Sequence, residues 1–225
     1  MRFLITAGPT REPIDPIRYI SNRSSGKMGY AIAEAALAAG HDVTLISGPV
    51  NLEPTRGAHF VSVSTSDEMF EATHRHADKC DICVLCAAVA DYKPAKVSPA
   101  KIKKDRGQFS LELILTRDIL ASLGRKQDRQ FLLVGFAAET GDVEENAQKK
   151  LRAKNCDIIV ANDVSSTNSG MESDDNEVTI FFRTGEKERI LRAQKKIIAR
   201  ELVKKIDEFA RKMFDKKNVT ITELE

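Results

Sequence analysis

The chain has 225 residues, of which 42% are apolar, and a net charge of +2 from 35 basic and 33 acidic residues. The apolar fraction suffices for a full hydrophobic core, and the near-balance of charge excludes the global positive field of a nucleic-acid binder. No apolar run approaches the length of a membrane span, and the chain enters a strand pattern at once without a signal peptide's apolar region. The expectation is a cytoplasmic protein with no nucleic-acid or membrane partner, forming a single domain over 1–225.

Phe3 to Ala7 reads as a first strand, ended by Gly8-Pro9. Pro13 and Pro16 keep the following residues out of a helix. The stretch Ile20 to Gly29 (ISNRSSGKMG) then leads into an Ala-rich helix pattern that Gly40 stops. Asn22, Ser24 and Ser25 are residue types that cap helix starts. Gly26 and Gly29 remove side chains where a ligand could approach the backbone. A helix start offers free N–H groups and a partial positive charge, so residues 22–29 are a candidate phosphate or nucleotide site. The stretch is not a P-loop, because Ser21 stands where that motif needs glycine and Met28 follows Lys27. It also lacks the Gly-x-Gly-x-x-Gly fingerprint of dinucleotide folds.

Asp42 to Ser47 and Phe60 to Val63 are further strands, and Thr65 with Glu68 forms a capping-box pattern that opens a helix to about Lys79. His74 and His76 on that helix face different directions and read as solvated. Cys80, Cys83 and Cys86 have a metal-like spacing. They fall on an apolar strand, however, where side chains three apart point to opposite faces, so they read as core residues. That strand runs into Ala87-Ala88-Val89-Ala90-Asp91, which places Asp91 at a strand's carboxyl end, where parallel sheets bind ligands. Residues 93–108 form a lysine-rich loop that could close over polyphosphate.

Phe109 to Leu115 alternates as a strand does, Asp118 to Leu123 suggests a short helix, and Phe131 to Ala137 a buried strand. Asp142 and Glu145 repeat the capping-box pattern before a helix to about Lys154, on which Lys150 and Lys154 share a face. Asp157 to Ala161 is another strand. Residues 164–176 read as a loop, and Glu177 to Leu191 as a hairpin around Thr184-Gly185-Glu186. Ile198, Leu202, Ile206, Phe209 and Met213 follow helical spacing, and the tail from Asp215 is too polar to assign. The pattern predicts an α/β fold: a Rossmann-like, mostly parallel sheet with helices on both faces, plus a C-terminal hairpin and helix.

Six stretches in order resemble the bacterial phosphopantothenoylcysteine synthetases: Ile5–Asp15, Ile20–Gly29, Ala87–Tyr92, Lys101–Lys104, Gly135–Thr140 and Ala161–Asp163. The resemblance implies a ligase of coenzyme A synthesis that uses CTP and a divalent cation, Mg²⁺, works as a homodimer, and needs no flavin. 4′-Phosphopantothenate would become an acyl-cytidylate, and L-cysteine would then displace CMP. On matching positions, the resemblance assigns Asn22 to the reacting acyl group and Lys101 to charge stabilisation and nucleotide binding. It assigns Gly8, Ser24, Gly26, Gly29, Ala87, Asp91, Asp118, Ile119, Phe136, Lys150 and Lys154 to the nucleotide. Ala87, Ala88 and Asp91, with Asn22, fall to the substrate. Two departures stand out: Thr116-Arg117-Asp118 replaces the family's Asn-Pro-Asp, and Met171 replaces a phenylalanine. Metal ligands are unassigned, and hairpin 177–191 is the expected dimer surface.

Two rival readings remain. Tyr92 and Lys96 have the Tyr-x-x-x-Lys spacing of NAD(P)-dependent reductases, although Pro94 between them opposes the helix such a pair needs. A non-catalytic nucleotide-binding protein on the same fold is the other.

Overall fold

The computed structural model describes residues 1–104, 107, 109–139, 141–163 and 175–222. The elements begin with β1 (Arg2–Ala7), the short strands β2 (Arg11–Pro13) and β3 (Tyr19–Ser21), α1 (Lys27–Ala38), β4 (Asp42–Ser47), β5 (His59–Ser62) and α2 (Ser66–Ala77). There follow β6 (Ile82–Leu85), β7 (Tyr92–Pro94), β8 (Leu113–Leu115), α3 (Ile119–Gly124), β9 (Leu132–Glu139) and α4 (Val143–Ala153). The chain then forms β10 (Ile158–Asp163), β11 (Asp175–Phe182), β12 (Lys187–Gln194) and α5 (Lys195–Thr222).

One sheet has the order β12-β11-β10-β9-β6-β1-β4-β5. Its strands from β10 to β5 are all parallel, and β11 and β12 add an antiparallel hairpin at the edge. Among the parallel strands the order is that of a doubly wound Rossmann sheet, with reversal between β1 and β6. Two ribbons, β2–β3 and β7–β8, lie outside it. The earlier α/β expectation, including strands 80–88 and 157–161 in one sheet, agrees with this architecture.

Strand alternation divides the core in two. Phe3, Ile5 and Ala7 of β1 pack with α1 and α5, whereas Leu4 packs with α2, α3 and α4 on the other face. The expected stripe Ile198, Leu202, Ile206 and Phe209 is buried. Helical backbone continues to Thr222, past Asp215, where the polar sequence carries no apolar period to announce it. No helix among the described residues is long and apolar enough to cross a membrane.

The two capping expectations part company. At α2, Thr65 Oγ1 accepts the Glu68 N–H and Glu68 reaches back, so the box forms. At α4, Asp142 takes a left-handed conformation (φ 46°) that turns its side chain from the N–H groups, and no side-chain cap forms. Asn22, Ser24 and Ser25 do not cap α1 either. The cap is Gly26, at φ 76°, a conformation that suits glycine, and it has no side-chain cap bond.

The glycines around α1 are also explained by the protein itself. A Cβ on Gly29 would lie 2.6 Å from the Ala7 Cβ, and one on Gly48 would lie 1.8 Å from the Pro9 oxygen. At these positions close packing of the chain itself already excludes a side chain. His74 is likewise not simply solvated: its Nε2 meets Ser122 Oγ at 3.0 Å, and its ring stacks on Phe70.

The cysteines are core residues, as expected. Cys83 and Cys86 pack on opposite faces as alternation predicts, but Cys80, which precedes β6, packs on the same α2 face as Cys83. All four cysteines are free, and no group of three or more metal-capable side chains occurs among the described residues. A hydrogen bond from the Cys83 thiol to Cys80, then burial, raises the Cys83 pKa. Burial pushes Cys86 and Cys156 up to about 12.

Two predictions follow from this packing. Gly29→Ala should destabilise the fold by about 1–3 kcal/mol, because a methyl group overpacks the α1–β1 contact. Urea unfolding checks this, and an unchanged midpoint would refute the contact. The buried thiols should stay protonated at pH 8, so native protein should react with iodoacetamide far more slowly than urea-unfolded protein. Because the folded thiols hold their protons above the ordinary value of 9, their contribution makes stability fall as pH rises from about 9 towards 12.

Candidate functional site

The reversal between β1 and β6 opens a crevice at the strands' carboxyl ends. Two loops are sewn together there. The Ala88 N–H donates to the Gly8 carbonyl at 2.9 Å, and the Thr10 N–H to the Ala88 carbonyl at 3.3 Å. Buried Thr6 and Thr10 receive the next backbone groups: Ala87 N–H reaches Thr6 Oγ1 at 3.2 Å, and Ala90 N–H reaches Thr10 Oγ1 at 3.0 Å.

Asn22 lies across this seam. Its Nδ2 donates to the Ala88 carbonyl at 3.0 Å and the Val89 carbonyl at 3.2 Å. Carbonyl oxygens only accept, so the amide nitrogen faces them and both its hydrogens are engaged. Asn22 Oδ1 accepts no hydrogen bond from the described residues, and the residue is exposed. Asn22 thus turns its amide nitrogen towards the protein's own carbonyls. In this arrangement its available atom is an acceptor.

A second group gathers at the neighbouring strand end, where register pairs Leu85 of β6 with Gly135 of β9. Asp118 caps α3 by accepting the Ala121 N–H at 2.8 Å and holds Lys154 Nζ at 2.6 Å. Lys150 Nζ donates to the Phe136 carbonyl at 3.0 Å, and Ile119 is buried. Burial pushes the Asp118 carboxyl up, but Lys154, the Ala121 N–H and Lys150 together outweigh it, so its pKa lies below the ordinary value. Thr116 joins the two groups: its hydroxyl donates to the Ala90 carbonyl at 2.7 Å, and its N–H donates to the Asp91 carbonyl at 2.9 Å. Arg117 beside it turns away onto α2, stacking over Phe70 and pairing with Asp67 and Glu71.

Gly8, Asn22, Ala87 and Ala88 thus form one cluster, and Asp118, Ile119, Phe136, Lys150 and Lys154 another. Ser24 lines a cleft of about 380 Å³ with Asn22, Ser25, Lys27, Arg11 and Arg23. The Cβ positions of Gly26 and Gly29 are filled by the protein's own atoms. Asp91 is exposed at the mouth. Lys101 is exposed in the loop between β7 and β8, and its ammonium pairs with no described residue. Lys93 of the same basic stretch pairs with Asp67. Tyr92 lies on strand β7 rather than a helix, so the Tyr-x-x-x-Lys pairing of a reductase does not form. The Met171 departure lies outside the described residues.

Sequence reasoning missed the threonines and Asp15. Thr6 and Thr10 were detectable only as polar residues at the end of an apolar strand. Asp15, ahead of Pro16, carried the mark of a side chain that turns back on its own backbone. It accepts the N–H groups of Ile17 at 2.9 Å and Arg18 at 2.8 Å.

Residues 1–209 match the model of the DNA/pantothenate metabolism flavoprotein C-terminal domain family. The chain is 50% identical over 204 residues to the coenzyme A biosynthesis bifunctional protein CoaBC of Bacillus subtilis (strain 168), covering 90% of this chain and 50% of that protein. It is 44% identical over 221 residues to the CoaBC of Escherichia coli (strain K12), covering 97% and 53%. The chain therefore spans about half the length of the curated relatives it matches. The solved C-terminal domain of a CoaBC superposes with a TM-score of 0.80 at 44% identity, over 94% of this chain and 96% of that one. With its doubly wound sheet, its sewn crevice and these matches, the chain belongs to the DNA/pantothenate metabolism flavoprotein C-terminal domain family.

Proposed function

We propose that the chain is a ligase that joins 4′-phosphopantothenate to L-cysteine through an acyl-cytidylate made from CTP, in coenzyme A synthesis. The observation that carries this reading is the meeting of Asn22 with the Ala88 and Val89 carbonyls beside a lysine pair anchored at the next strand end. One cluster suits an acyl group and the other suits phosphates.

A carboxylate and a triphosphate repel, so their reaction needs fixed positive charge. Lys150 and Lys154 supply it on α4. At rest Lys154 is matched by Asp118 and Lys150 by a carbonyl, and the nucleotide's phosphates take over these partners. Lys101 adds charge from the loop. Asn22 keeps the β6 loop in register through Nδ2 and offers Oδ1 to an N–H of the incoming cysteine amine, orienting its lone pair towards the acyl carbon.

A Mg²⁺ ion fits this reading as a companion of the nucleotide. Asp91 is the exposed carboxylate at the mouth, and Mg²⁺ is commonly held by one or two carboxylates plus substrate phosphates. Bound there, the ion would neutralise phosphate charge. The reading assigns no flavin to this stretch and a cytoplasmic location to the reaction.

We place the homodimer contact on the two outer ribbons rather than on hairpin 177–191. Ile17, Tyr19, Tyr92, Leu113, Ile114 and Leu115 are exposed there, Leu115 by 70%. The outer strand β12 exposes Leu191 singly among Lys187, Arg189 and Arg192, and these charges discourage edge pairing.

The decisive assay is pyrophosphate release with CTP, Mg²⁺ and 4′-phosphopantothenate, with and without cysteine, repeated with ATP. Release that requires phosphopantothenate, followed by CMP and amide on adding cysteine, is expected. No release with either nucleotide by folded protein would leave a binding module. Asn22→Ala should keep the cytidylyl step but slow amide formation on the order of 10²-fold, a size typical of losing one orienting hydrogen-bonding group. Wild-type turnover would end that role. Leu115→Glu should yield a monomer in sedimentation, and an intact dimer would move the contact elsewhere.

A further inference from the structure

The side chain of Asp15 is fully buried. Besides the N–H groups of Ile17 and Arg18, its carboxylate accepts Arg18 Nε at 3.0 Å and Arg18 Nη2 at 2.6 Å. Its Oδ2 also accepts the Ile102 N–H at 3.2 Å, across 87 residues of chain. Arg18 Nη2 completes the grip by donating to the Ile102 carbonyl at 2.9 Å. One ion pair, between the buried Asp15 carboxylate and the half-exposed Arg18 guanidinium, therefore holds both polar groups of residue 102. The same loop is tied again where the Ser98 N–H meets the Ile14 carbonyl at 2.9 Å. Its base closes through the Ala95 N–H and the Glu112 carbonyl at 3.0 Å.

Lys101 is the residue immediately before this held position. Its backbone neighbour is fixed while its ammonium remains unengaged by the described residues. A lysine on a wandering loop must be ordered when the ligand binds, and that ordering costs free energy. Fixing the peptide beforehand leaves only the side chain to settle. Asp15 suits the task, because an ionised carboxylate only accepts, and its two oxygens can share hydrogen bonds from backbone N–H groups and a guanidinium. The Arg18 guanidinium, with these N–H groups, holds its pKa well below the usual carboxylate range, so the grip persists at neutral pH.

We propose that Asp15 is a positioning residue for Lys101: with Arg18 it clamps the Ile102 peptide and so sets where the lysine stands over the nucleotide phosphates. This rests on the reading of Lys101 given above, but the clamp itself is a separate claim.

A double-mutant cycle on pyrophosphate release separates the two. Asp15→Asn keeps the shape but turns one acceptor into a donor facing Arg18 or Ile102. It should slow release on the order of 10²-fold, the size of a misplaced reacting group. Lys101→Ala should slow it at least as much, and adding Asp15→Asn to Lys101→Ala should cost nothing further. The Ile102 amide should exchange slowly in wild-type protein and quickly in Asp15→Asn. If the two losses multiply, Asp15 does not act through Lys101 and the positioning role falls while the lysine's survives. If Lys101→Ala is fully active, the reading of the lysine falls and the proposal with it. Should Asp15→Asn not fold, Asp15→Glu enters the same cycle. Wild-type exchange at Ile102 as fast as at Lys103 would overturn the clamp without any variant.

Discussion

The arrangement depends on how closely backbones approach at the carboxyl end of β1. The first turns of α1 lie so near that strand that Gly29 touches Ala7, and the loop after β4 comes so near that Gly48 touches Pro9. No side chain fits between them. That closeness brings the chain after β1 into reach of the loop after β6, where Gly8, Thr10 and Ala88 exchange backbone hydrogen bonds. Asn22 can span the seam only because the seam is narrow. Packing density alone already restricts this stretch to small residues.

Much of the fold was legible in the sequence because its signals are local. The α5 stripe repeats every three or four residues, and the Thr65–Glu68 box lies within one turn. The Asp142–Glu145 pattern looked equivalent but failed, since the backbone at Asp142 lies in the left-handed region and composition does not report φ. For the candidate site, what the sequence did not carry is the wiring. Asn22 finds its partners 66 and 67 residues away, and Asp15 finds Ile102 after 87. Such pairings exist only once the sheet order is set. The orientation of the Asn22 amide is one such feature: its nitrogen faces two carbonyls that sequence proximity does not announce.

Electrostatically, the crevice is built from matched rather than naked charges. Lys154 sits on Asp118, Lys93 on Asp67, and Arg18 on Asp15. Matched pairs keep cations in place without a large standing field, which accords with a net charge of +2 for the whole chain. In the proposed reaction an arriving anion would exchange partners with lysines already oriented, instead of gathering them from solution. Lys101 differs, with a fixed backbone and an unengaged head.

The burial of the thiols gains a second meaning once cysteine is considered as a co-substrate. Thiol–disulfide exchange is carried by thiolates, so a protein with exposed, ionised cysteines would trap small thiols or their disulfides as mixed disulfides. Cys83, Cys86 and Cys156 are held in their protonated forms by the core, on both faces of the sheet. The sheet thereby keeps its own sulfur chemically silent beside a crevice through which another sulfur would pass.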